Sequence, residues 1–158
     1  VLADSRFSAS PAAIGMAMAV SSVGAALVAS RLGKLYGRFS PRALLLAGQG
    51  MYLLSMALLV HAQGLAWTLF PVLLFGMGQG LNIPNVQAQL LSAASPAQRA
   101  SVMAVNGMLL RLGQTLAPVG FSFVMGMYGL NWGFYGGMFL ACCIAMLTLV
   151  FVSKSSRL

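Results

Sequence analysis

The chain has 158 residues, of which 59% are hydrophobic and 6% charged, with a mean hydropathy of +0.89 and a net charge of +8. Soluble domains carry about 25% charged residues, so this composition excludes a soluble globule. The positive charge does not signal a nucleic-acid partner. Such a footprint needs basic residues interleaved with polar surface and stacking aromatics, whereas here they border apolar segments, and attraction to anionic lipid headgroups, about 1 kcal/mol per cation, accounts for them.

Taken in chain order, residues 1–10 read as an outer loop. Five apolar stretches follow, at about 11–30, 43–62, 65–91, 100–126 and 132–152. Each has about 20 residues or more, enough to cross a hydrocarbon core of about 30 Å at about 1.5 Å per residue. Together, residues 11–153 read as an all-α, polytopic membrane bundle of five transmembrane helices, and 154–158 as a tail. The joining segments are a basic loop from Arg31 to Arg42, a short turn at His61 to Gly64, a Ser/Pro/Gln loop at Ser92 to Arg99 and an uncharged turn at Tyr128 to Asn131.

Seven of the nine cations fall in Arg31 to Arg42, at Arg99, or in Lys154 to Arg157. These three places are separated by two spans each, so all lie on one side of the membrane, and Lys and Arg collect on the cytoplasmic side. The C-terminus is therefore expected to be cytoplasmic and the N-terminus outside. Five spans that start outside, at Val1, with no charged leader segment imply that at least one helix precedes them in a longer protein.

Small residues mark helix contacts, because close backbone approach is what packing exploits in lipid. The third span carries Gly76 and Gly80 in line with Pro84, and the fifth carries Gly133, Gly137, Ala141 and Ala145. The 11 methionines and the adjacent Cys142 and Cys143 read as adaptable packing residues. On the third span, Gln79, Asn82, Asn85 and Gln89 fall within an arc of about 120° at 100° per residue, away from the glycine stripe. Four amides do not face lipid, and backbone loosened by Pro84 is tolerated where it is buried or lines a water-filled cavity. Gln79, Asn82 and Asn85 are therefore expected to line a cavity.

Arg111 lies twelve residues into the fourth span, about 18 Å from Arg99 and past the middle of the core. A central Arg costs about 2.5 to 3.5 kcal/mol to insert, so it should face the bundle interior and find a carbonyl, a carboxylate or an anionic ligand. Gly107 and Gln114 share its face. The single acidic residue, Asp4, lies outside every span. General acid–base pairs, carboxylate metal sites and Ser-His-Asp arrangements therefore have no members, and His61 reads as an interfacial residue. No enzyme activity, metal or cofactor is expected.

Gly33-Lys34-Leu35-Tyr36-Gly37-Arg38-Phe39-Ser40-Pro41-Arg42 resembles the loop pattern G-[RK]-L-x-D-R-x-G-x-[RK] of the major facilitator superfamily, with Gly37 where that pattern has Asp and Ser40 where it has Gly. The third span is similar to the family's tenth helix, Ser95 to Ala100 to the loop after it, and Asn106 through Pro118 to the eleventh helix. Nearly the whole chain thus resembles helices eight to twelve of a twelve-helix member, or their equivalents in a fourteen-helix one. The resemblance implies a secondary transporter that works by alternating access, partnered by its missing N-terminal half and the lipid bilayer. It also implies a small-molecule substrate held near the midplane.

The implied activity is proton-coupled efflux of a drug-like or metabolite substrate across the bacterial inner membrane, a plasma membrane, with the coupling carboxylates in the other half. Two alternatives stand beside it: an organic-anion facilitator in which Arg111 binds substrate, and a membrane sensor or assembly subunit that transports nothing. Arg111, Gln114, Asn106, Gln79, Asn82 and Asn85 are expected to line the substrate cavity, and the resemblance assigns Gly33, Lys34, Gly37, Arg38 and Arg42 to a gating loop. The substitution at Gly37 removes the acid that latches such a loop.

Overall fold

The computed structural model describes residues 11–62 and 64–155. The expected outer loop at 1–10 and the tail beyond residue 155 lie outside the described residues. The chain forms five helices: α1 (Pro11–Tyr36), α2 (Pro41–Val60), α3 (Leu65–Ala93), α4 (Arg99–Tyr128) and α5 (Leu130–Ser155). All five are long and apolar enough to cross a membrane, and there is no strand among the described residues. Large apolar side chains are exposed along their outer faces, among them Met18, Val23, Phe123, Phe139 and Met146, as a lipid solvent requires.

The basic segment is shorter as a loop than as a run of charges. α1 continues six residues beyond its apolar stretch, carrying Arg31 and Lys34 on its last turns, so only Gly37 to Ser40 connect it to α2. Long cationic side chains allow this, because their stems lie along apolar surface while the heads reach water. The turn closes through Arg38 and Phe39 N–H groups donating to the Leu35 carbonyl at 3.0 and 2.8 Å. Ser40 caps α2 by accepting from the Ala43 N–H at 3.2 Å, with Pro41 in the first helical position, where a missing N–H costs nothing.

At the opposite end, α4 and α5 are joined at Gly129, whose φ of 90° lies in the left-handed region that favours glycine, and its N–H donates to the Met125 carbonyl at 2.9 Å. An aromatic cluster flanks this turn. Trp132 sits 6.1 Å from both Tyr128 and Tyr135 between ring centroids, and Trp67 is exposed near the start of α3 at the same end.

α3 is the centre of the bundle, packed on one side by α1 and on the other by α2; α2 also packs against α5, and α5 against α4. Glycines set these approaches. A Cβ on Gly76 would strike the Ser21 backbone and one on Gly80 the Ala25 carbonyl, while Gly24 lies against Leu73 and Met77. The pairs 21–76 and 25–80 advance together, so α1 and α3 run parallel. Against α2 the order reverses: Gly48 meets Asn82, and Ser55 donates to the Pro71 carbonyl at 2.7 Å from a fully buried position, which makes this pair antiparallel. Gly133 packs on Met125, and Gly137 lies near Phe121 of α4 and Met56 of α2. α4 is the exception, since it has no buried residue among those described.

Candidate functional site: the amide face of α3 and its neighbours

The amide face of α3 turns toward α2, and what each amide meets depends on depth. Asn82 is 7% exposed and wedged against Gly48, where an added Cβ would come within 2.6 Å of the Asn82 Oδ1. Tyr52 lies against the same amide, yet neither Asn82 Nδ2 nor Oδ1 completes a hydrogen bond of good geometry. A buried amide left in this state costs about 1 to 3 kcal/mol. Asn82 also lines a cleft of about 200 Å³ between α3 and α4, together with Ile83, Val86, Asn106 and Leu110. A larger opening of about 470 Å³ continues along the same two helices past Leu90, Gln98, Ser101, Val105 and Asn106. Asn106 thus borders both openings.

Asn85 occupies a different environment one turn further along. It is fully buried, and its Nδ2 donates to the Pro41 carbonyl at 2.7 Å. Its Oδ1 accepts the Tyr36 hydroxyl at 2.8 Å and the Gln89 Nε2 at 3.2 Å. The amide therefore joins the end of α1, the start of α2 and the body of α3, directly under the basic turn. Gln79, one turn toward the other end, is half-buried.

Arg111 and Gln114 stand apart from this group. Both are exposed, as is every residue from Met108 to Gly120. At 100° per residue, Arg111 lies about 100° around the helix from the cleft-lining Leu110, so it does not point into the opening that Asn82 and Asn106 share. No acidic side chain exists among the described residues to pair with it, because Asp4 is the only one in the chain. The structure thus brings Asn82 and Asn106 together, assigns Asn85 to a buried junction, and leaves Arg111 and Gln114 on an uncovered face. Gly33, Lys34, Gly37 and Arg38 are exposed at the basic turn and Arg42 is half-buried beside it.

Tyr36, Gly48, Tyr52 and Ser55 were not singled out by sequence reasoning. Their roles appear only once it is known which helix covers this face of α3.

Five hydrophobic helices of spanning length, a polar face inside the bundle and an uncompensated cation at mid-helix define a polytopic membrane protein with a polar interior. The family model of the Major Facilitator Superfamily matches residues 2–157, and the chain belongs to that family of transporters. No curated protein and no solved structure matches it.

Proposed function

We propose that this chain forms part of a secondary transporter that exports a small drug-like or metabolite molecule in exchange for protons, by alternating access. The observation that carries the reading is Arg111. Its position is about 18 Å from the start of a 30-residue helix, it is exposed, and no carboxylate lies in any described helix to neutralise it. Such a charge is retained in a hydrocarbon core where it faces a water-filled cavity or an anionic group. In this reading the uncovered face of α4 is completed by the N-terminal half of the transporter, which also supplies the proton-carrying acids. The groove bordered by Asn82 and Asn106 forms the amide-lined wall, Gln79 and Gln114 flank the path, and the 33–42 segment, with Asn85 buried beneath it, is the cytoplasmic gate. The protein resides in a bacterial inner membrane with its C-terminus in the cytoplasm.

The same unpaired cation favours one second reading, a facilitator in which Arg111 binds an organic anion directly. Everted vesicles containing the full-length protein separate the two. Collapse of a pH gradient on adding chloramphenicol supports proton-coupled export, whereas saturable fluorescein entry that ignores the gradient supports the facilitator. Under either reading, Arg111→Gln lowers flux about tenfold or more, the loss expected when a contact worth about 1.4 kcal/mol is removed, while insertion stays normal. Arg111→Lys distinguishes a planar, multi-donor contact from a simple charge requirement. Unchanged affinity and rate in Arg111→Gln would remove Arg111 from the site.

A further inference from the structure

We propose that Asn85 is the buried anchor of an uncharged latch, holding the 37–40 turn and the helix ends on either side of it to α3. An amide offers two donors and an acceptor oxygen with two lone pairs. Asn85 uses the oxygen twice, for Tyr36 and Gln89, and one donor for the Pro41 carbonyl, all from a position without solvent exposure. Those partners belong to three different helices. Two are 49 and 44 residues away in sequence, so the contacts are tertiary and cannot be replaced by local helix geometry.

The turn itself is rich in cations and has no acid. Arg31, Lys34, Arg38 and Arg42 lie within it or on the helix ends beside it, and no described residue carries a negative charge. Among the described residues, then, no side-chain ion pair holds the turn down. The position where the family pattern has Asp is Gly37, and the space there is open, since a Cβ would meet only the Lys34 carbonyl at 3.5 Å. Sterics do not exclude an acid. The contacts that hold the turn run instead to an amide on α3, through hydrogen bonds between neutral groups rather than through charge.

The latch makes α1, α2 and α3 one block at the basic end, also fastened lower down by Gly76, Gly80 and Gly48, while α4 has no comparable anchor. Its place in a transport cycle rests on the alternating-access reading: the block moves as a unit and α4 moves against it. The latch itself does not depend on that reading, and neither does its test, which uses no substrate.

The experiment is amide hydrogen exchange on the full-length protein in lipid nanodiscs, comparing peptides that cover residues 37–43 with peptides that cover the Gly129 turn. Tyr36→Phe removes one hydrogen bond and keeps the ring, and is expected to speed exchange in 37–43 about threefold or more without changing the Gly129 turn. Asn85→Leu removes the hydrogen bonds from α3 to both Tyr36 and the Pro41 carbonyl and is expected to speed it about tenfold or more. Raising sodium chloride from about 50 mM to about 500 mM is expected to leave the wild-type protection unchanged, because the shorter Debye length weakens charge pairs and leaves hydrogen bonds between neutral groups as they are. If Asn85→Leu loosens the Gly129 turn as well, it has unfolded the bundle, and Tyr36→Phe then decides. Protection of 37–43 that drops with salt in the wild type, or that survives Tyr36→Phe unaltered, overturns the proposal.

Discussion

α3 and α4 are both long, both interrupted by proline and both rich in glycine, yet one is the most enclosed helix of the bundle and the other encloses nothing. The difference lies in what their glycines meet. On α3, Gly76, Gly78 and Gly80 each stand where a Cβ would collide with Ser21, with Tyr52 and Gly48, or with Ala25. On α4, Gly107, Gly113, Gly120 and Gly126 have nothing within 4 Å. Glycine count is therefore no measure of packing; a glycine contributes where a second backbone needs its missing side chain. In lipid, where apolar side chains gain little by leaving the solvent, that backbone approach and a few interhelical hydrogen bonds are what hold helices together.

The sharpest way to break this comparison is to add bulk on each helix in turn. Gly76→Leu places a side chain into the Ser21 backbone, which cannot rotate away, and is expected to abolish a monodisperse protein on size-exclusion chromatography. Ser55→Ala is next. It removes the hydrogen bond that the Pro71 carbonyl accepts from α2, and interhelical hydrogen bonds in membranes average about 0.6 kcal/mol with a maximum of about 1.7, so a drop of a few degrees in melting temperature is expected. Asn82→Leu sharpens the contrast from the other direction. It replaces an unsatisfied amide by an apolar group of similar size, so stability should hold or rise by up to about 1 kcal/mol. Transport by the full-length protein should fall, and a protein that loses stability instead would show that Asn82 is well bonded. The smallest effect belongs to Gly113→Ala in this chain, expected to leave the melting temperature unchanged or slightly higher, since alanine favours helix by up to about 1 kcal/mol and meets no neighbour. Collapse of Gly113→Ala would mean that α4 is covered as tightly as α3.

The sequence made the five helices legible because each apolar run exceeds the thickness it must cross, and the solvent, not the neighbours, sets that length. It also marked the α3 amides as one face and Gly76 and Gly80 as another. Periodicity could not say which helix would lie on either face. Asn82 and Asn85 are three residues apart on one arc, yet one is left without a good partner and the other makes three hydrogen bonds, because Gly48 and Pro41 come to them from a different part of the chain. Nor did the charge run reveal that Arg31 and Lys34 ride on helix rather than loop, because cation stems tolerate either. For Arg111, depth was readable from counting residues, whereas its direction depends on how α4 is turned relative to the α3 cleft.

The aromatic cluster around Gly129 acquires a further meaning when set against the cations at the other end. Indole and phenol rings settle at the boundary between headgroups and hydrocarbon whatever the headgroup charge, while Lys and Arg are held according to how much anionic lipid is present. One leaflet thus grips the bundle by a fixed mooring and the other by an adjustable one. A change in the anionic lipid content of a single leaflet would therefore change how firmly the Tyr36–Pro41 end is held while Trp132 and Trp67 stay at their level.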